Sequence, residues 1–203
     1  MPQVSTQPGF THPVFDSQRV FRAAAMAMAR PGQPQSVCRA DGSPLDLPRI
    51  EAVHPASLAL LLALADLDTP LWLDERLRTG DLPAYLRFHT GAEITPERPA
   101  VSFALFADGY DGAYMEDFTI GQEAYPELST TLLIQVSDLT SGAPHRVRGP
   151  GIQTAETLRP GGLDTRFWTE WRLNHTLYPC GLDVMLIAGH EILGLPRSVH
   201  EEE

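Results

Sequence analysis

The 203-residue chain carries 26 acidic and 15 basic side chains, a formal net charge of -11 at pH 7, and is long enough for one domain with a normal buried core. That balance excludes a protein that grips nucleic acid unaided, because phosphate neutralisation requires clustered cations. Every basic residue is an arginine, so chemistry that needs a lysine amine, a Schiff base or a Walker-type phosphate loop, is excluded for this polypeptide.

The opening MPQVSTQPGF has neither the basic nor the apolar region of a secretory signal, and residues 1–14 are expected to form a flexible arm ahead of one domain over 15–200. DSQRVFRAAAMAMARPG predicts a helix with Asp16 or Ser17 as N-cap, Val20, Phe21, Ala24 and Met28 as its apolar face, and a stop at Pro31 and Gly32. QSVCRA reads as a short strand before the turn at Asp41 to Pro44. Cys38 in that strand and Cys180 are distant in sequence, so this chain alone builds no thiolate zinc site or iron-sulfur cluster, and both thiols are expected to be reduced in the cytoplasm.

HPASLALLLALADLDTP places Pro55 in a first turn and Leu58, Leu61, Leu62 and Ala65 on an apolar stripe, a helix buried on most sides. Its apolar run, Leu58 to Ala65, is too short to span a membrane. Pro70 to Asp74 reads as a strand. LPAYLRFHTGAEI follows, with Asp81 as cap, Gly91 as stop and Leu82, Tyr85, Leu86 and His89 on one arc of a helix. Arg87 points away from that arc, so Arg87, His89 and Thr90 do not form one cluster by local geometry.

AVSFALF is a strand apolar on both faces, as in a covered sheet. ADGYDGAYMED is an acidic loop whose Asp108, Asp111, Glu116 and Asp117 lack calcium-loop spacing. STTLLIQVSDL is another strand. HRVRGPGIQ joins a basic strand end to Gly149, Pro150 and Gly151; backbone N–H groups there would form an anion nest with Arg148, while a tight turn explains the glycines equally well. TRFWTEWRLNHTLYP predicts a helix capped by Asp164 or Thr165, with Phe167, Trp168, Trp171 and Leu177 as contact residues and His175 near its end. DVMLIA and EILGLP are strands around Gly189 and His190, and Glu201 to Glu203 reads as a frayed tail. Strands alternating with helices give the α/β class, with antiparallel pairing at this last hairpin. No GxSxG, HExxH, strand-linked GxGxxG or DxDxDG motif is present.

Six phrases in order, FRAAAMAMARPG, LLLALADLDTPLWLD, LRFHTGA, PELSTTLLIQVSDL, GPGI and YPCGLDVMLIAGHEILGLPRSVH, together resemble the PhnH family, the H subunits of the bacterial carbon-phosphorus lyase system for phosphonates. The likeness runs from about Phe15 to His200. It implies a three-layer α/β/α sandwich with a mixed sheet, like the large domain of pyridoxal-phosphate-dependent transferases but without the cofactor. It implies a homodimer for the isolated subunit and assembly with G, I and J subunits. It also implies an accessory role, with G, I and L subunits, in forming ribose 1-phosphonate 5-triphosphate from MgATP and an alkylphosphonate; a separate radical iron-sulfur subunit breaks the carbon-phosphorus bond.

The resemblance transfers no catalytic residue. The expectation carried forward is an anion pocket assembled from Arg87, His89, Thr90, Arg148, Gly149 and Gly151. The rival expectation is a purely structural subunit whose exposed aromatic residues, Trp168, Trp171 and Tyr178, dock a partner. An autonomous enzyme with His89 as general base is the third.

Overall fold

A computed structural model describes residues 7–110 and 114–202. Helix α1 spans Pro13–Ala29. Pro13 suits a first turn, where no N–H partner is needed, and the Asp16 carboxylate accepts a bond of 2.9 Å from the backbone N–H of His12. Asp16 therefore ties the first turn from inside the helix instead of capping it, and the helix begins earlier than the cap residues suggested. Its buried line is Asp16, Val20, Ala24 and Ala27, with Phe21 turned to solvent.

Strand β1 (Gln35–Ser36) leads through a loop to α2 (Pro55–Leu64), which is buried continuously from Ala56 to Leu61. Then come β2 (Leu71–Leu73), α3 (Leu82–Thr90), β3 (Phe103–Phe106) and β4 (Thr131–Gln135). The chain continues through β5 (His145–Arg148), β6 (Glu156–Leu158), α4 (Thr165–His175), β7 (Asp183–Ala188), β8 (Glu191–Leu195) and β9 (His200–Glu201).

The larger sheet has the order β1-β8-β7-β4-β3-β2. Neighbours among β7, β4, β3 and β2 are parallel, while β8 and β1 add antiparallel edges. Alternate side chains sort the core into two clusters. Leu71, Leu73, Leu105, Leu133, Met185 and Ile187 pack with residues of α1, α2 and α3 on one face. Trp72, Ala104, Phe106, Leu132, Ile134, Val184 and Leu186 pack on the other with α4 and with Val147, Leu158 and Val199. A sheet covered on both faces explains why these strands read as unbroken apolar runs.

Two polar contacts fix the sheet ends. Gln135, fully buried at the end of β4, accepts from the His54 backbone N–H at 2.6 Å and donates to the Ala52 carbonyl at 2.8 Å, holding the entry to α2. At the opposite ends of the strands Arg197 meets Asp183 and also reaches the Pro126 carbonyl at 2.7 Å. In β8, a Cβ on Gly194 would sit 2.5 Å from the Ala27 carbonyl oxygen, so α1 lies directly on this strand because glycine is there.

The second sheet, β6-β5-β9, is antiparallel. It departs from the sequence expectations at both ends of the chain. Glu201 is not frayed but sits in β9 opposite Val147, and the Glu202 N–H donates to the Arg146 carbonyl at 2.7 Å. At the other end the arm is tethered over its described part: Tyr85 donates to the Pro8 carbonyl at 3.1 Å and His89 Nε2 lies 3.0 Å from the Gln7 carbonyl.

Candidate functional site

The alternation of β5 creates a basic outer face. Val147 is fully buried, and His145 turns inward to stack on Trp168 with ring centres 3.8 Å apart and planes 10° from parallel. Arg146 and Arg148 therefore face solvent. Strand β9 places His200 opposite Arg148 and Glu201 opposite Val147. Glu201 consequently points inward, with Oε1 2.6 Å from His145 Nδ1 and Oε2 2.6 Å from Arg172 Nη1. Glu202 points outward, its carboxylate 2.6 Å from Arg146 Nε and ion-paired with Arg148 Nε. Pro144, Arg146, Arg148, His200, Glu201 and Glu202 line an open cavity of about 730 Å³ on this face. Paired guanidinium groups over a concavity make a site for an oxyanion, since each presents several N–H donors in one plane.

The glycines beside it serve the backbone. A Cβ on Gly149 would lie 2.9 Å from Ser198 O and from Val199, and one on Gly151, at φ 86°, would lie 2.4 Å from Ala29 O. Ile152 N–H closes the turn onto Gly149 O at 3.1 Å. Both glycines thus permit close chain crossings, which a side chain at either position would block.

Arg87, His89 and Thr90 lie elsewhere. Helix α3 sends Leu82, Tyr85 and Leu86 into the cluster of α1 and α2, whereas Val147 of β5 belongs to the opposite cluster. No hydrogen bond or ion pair among the described residues joins the two groups, so the fold does not assemble them into one pocket. Thr90 Oγ1 donates to Leu86 O at 2.8 Å and accepts from Ala92 N at 3.1 Å, a helix-end role. His89 packs against Tyr85, ring centres 4.3 Å apart and planes tilted by 49°, over the tethered arm. Arg87 is exposed. Of the aromatic residues expected at an interface, Trp168 and Trp171 are buried inside the protomer and only Tyr178, 62% exposed, is at the surface.

A larger cluster was not foreseen from the sequence. On the second face near β2, Arg76, Arg78, Arg98 and Arg166 gather around Trp72, Phe106, Tyr110 and Phe118. Arg76 grips Asp74 with Nε at 3.2 Å and Nη2 at 3.0 Å. Arg98 pairs with Asp117 at 2.8 Å. The guanidinium carbons of Arg78 and Arg98 each lie 5.3 Å from the Trp72 ring centre, and that of Arg166 lies 5.0 Å from Tyr110 and 4.6 Å from Tyr114, all within cation–π range. Glu170 accepts from the Tyr110 hydroxyl and from Met115 N–H, both at 2.7 Å.

Electrostatics follow from these contacts. Burial opposes charge on Asp74, but hydrogen bonds from Arg76 outweigh it and hold the carboxyl below its ordinary value. Burial, then the Glu170 hydrogen bond and charge, push the Tyr110 hydroxyl far upward, so it stays a proton donor. Beside this cluster, Tyr114, Met115, Ile120, Leu173 and Leu177 line a largely apolar groove of about 520 Å³ along α4. Among the described residues, no three His, Cys, Asp or Glu side chains converge as a metal-binding group, and no helix is long and apolar enough to cross a membrane.

Comparison with known proteins places this geometry in context. The model of the family described as bacterial phosphonate metabolism protein (PhnH) matches residues 8–202. A Rhizobium meliloti (strain 1021) protein named alpha-D-ribose 1-methylphosphonate 5-triphosphate synthase subunit PhnH is 37% identical over 193 residues, spanning 95% of this chain and 94% of that protein. A Stutzerimonas stutzeri protein named "Putative C-P lyase subunit protein HtxG" is 36% identical over 84 residues, 40% of this chain and 42% of its own.

Proposed function

The chain belongs to the PhnH family of bacterial phosphonate metabolism proteins, and from that membership we propose that it is an accessory subunit in phosphonate catabolism. The observation that carries this reading is the likeness to the Rhizobium meliloti synthase subunit along 95% of this chain and 94% of that protein. A likeness of that extent concerns the role of the whole chain, since no further domain of the relative is left unmatched.

The chemistry of the described residues supports the same reading. His89 and His175 lie against backbone carbonyls, His54 Nδ1 accepts from Gly189 N–H, and His145 is held by Glu201. General-base work needs a ring nitrogen aimed at a nucleophile, and these four rings are engaged in holding loops and strands together. In this reading the chain acts with G, I and L subunits while a phosphonate displaces adenine from the ribose C1 of MgATP, yielding ribose 1-phosphonate 5-triphosphate. Its core partners are the G, I and J subunits, and the isolated chain pairs with a second copy in the cytoplasm. In this reading the six-stranded mixed sheet would correspond to the large domain of pyridoxal-phosphate-dependent transferases and would serve as a scaffold without the cofactor. The apolar groove along α4 supplies a surface suited to a protein partner.

Adenine release from MgATP and methylphosphonate tests this. The expected result is release by the complete set of subunits, none by this chain alone, and none when it is omitted. Release by the isolated chain would overturn the accessory role.

A second reading, a ligand-binding subunit with an anion pocket, is favoured by one observation: a carboxylate, that of Glu202, already lies between Arg146 and Arg148.

A further inference from the structure

We propose that Arg146, Arg148 and His200 form a binding site for a tetrahedral phosphoryl- or phosphonyl-type oxyanion, and that Glu202 is its built-in competitor. The inference rests on the anion-pocket reading and adds to it the residues and the control. Arg146 and Arg148 are two apart on one strand, so their side chains rise from the same face of β5, about 7 Å apart at the backbone. His200 stands opposite Arg148 in β9 and lines the same cavity, its ring centre 5.0 Å from that of His175 at the end of α4.

The occupant seen here is a poor match for what surrounds it. Two guanidinium groups offer about ten N–H donors, against the two oxygens and single charge of one carboxylate. A phosphonate brings three terminal oxygens and inorganic phosphate four, a phosphoryl group carries roughly -1.5 to -2 near neutral pH, and either ligand can take bidentate bonds from both guanidinium groups at once. The concavity of about 730 Å³ leaves room for the larger ligand.

The competitor is also easily displaced. The side chains of Arg146 and Arg148 are 60% and 48% exposed, and that of Glu202 is 25% exposed, so each pair is weak and screened by salt. The strand itself does not depend on Glu202. Glu201 is separately held by His145 and Arg172, and the Glu202 N–H bond to Arg146 O survives any change of side chain. The Glu202 carboxylate can therefore swing away while β9 stays in place.

Isothermal titration of the full chain at low ionic strength tests the proposal, with methylphosphonate, inorganic phosphate, ATP and acetate as separate ligands. Glu202→Gln is expected to bind methylphosphonate or phosphate roughly three- to tenfold more tightly than the unaltered chain. Adding Arg148→Gln or Arg146→Gln to Glu202→Gln is expected to abolish that binding. The ATP arm separates a free oxyanion from the end of a nucleotide's phosphate chain. Equal affinity with and without Glu202→Gln, still dependent on the arginines, overturns the competition and leaves the anion reading standing. Tighter binding that ignores both arginine changes overturns the site. Acetate binding as tightly as methylphosphonate overturns the ligand class, and no binding by any variant overturns both the proposal and the reading beneath it.

Discussion

Arg197 holds Asp183 at two points, Nη2 2.7 Å from Oδ2 and Nε 3.2 Å from Oδ1, where β7 begins. The guanidinium also donates to Pro126 O, and its side chain is only 12% exposed. Removing one partner leaves the other charge poorly compensated in a mostly dry site. Arg197→Ala is expected to lower stability by about 3 kcal/mol, read as a fall in the urea midpoint at unchanged slope. A loss below about 1 kcal/mol would show that solvent reaches and screens the pair.

Gln135 and the start of α2 give a second test. Gln135→Leu keeps the volume but strands the His54 N–H and the Ala52 carbonyl that the amide now satisfies. The expected cost is about 1–3 kcal/mol per unsatisfied buried group. Hydrogen exchange at His54 should accelerate more than exchange in β3, because the damage is local to the loop.

Gly151 and Arg148 separate backbone from binding roles at neighbouring positions. Gly151→Ala meets the Ala29 carbonyl at 2.4 Å with φ at 86°, and is expected to cost about 2 kcal/mol or more. Arg148→Ala, on an exposed face, is expected to change stability by no more than about 1 kcal/mol. Thermal unfolding of the two variants side by side checks this, and equal losses would contradict the assigned roles.

Asp74 predicts a pH dependence. Its folded carboxyl titrates below its unfolded value, because the Arg76 bonds outweigh burial. The unfolded state therefore takes up a proton first as pH falls, so the stabilisation is complete above about pH 4 and is lost as pH drops through the lowered folded value. Asp74→Asn is expected to be less stable at pH 7 and to show a shallower decline in stability below about pH 4. An unchanged slope between pH 5 and 3 would mean that other carboxyls dominate acid unfolding.

Helices α1, α3 and α4 were legible because each repeats an apolar face, and α2 because an unbroken apolar run follows Pro55; end signals helped, since Gly91 ends α3 in a left-handed conformation and Asp164 caps α4 by accepting from Arg166 N–H at 2.7 Å. The longer strands of the main sheet were legible because burial on both faces leaves apolar runs. Strands β6 and β9 were not, since Glu156–Leu158 and His200–Glu201 are short and polar and owe their pairing to β5. Trp168 and Trp171 could not be assigned to core or surface from one amphipathic helix; the second cluster closes over both. The arginine group around Trp72 draws on four separated segments, and neither it nor the contact of Glu202 with Arg148 leaves a local spacing to find. The predicted anion pocket failed to assemble for the same reason: sequence proximity to a glycine turn says nothing of which sheet face a helix 60 residues earlier will cover.

Glu201 and Glu202 are adjacent and identical, so sliding β9 by one step along β5 could exchange one carboxylate for the other beside the outer arginines. Charge alone is degenerate in this alignment. Val199, with none of its surface in water, removes the ambiguity, because the same slide would rotate it out of the interior. The alignment that decides which glutamate guards the outer arginines is thus set by a hydrocarbon two and three places upstream, and a polar residue there would blur the guard's identity before it unfolded the domain.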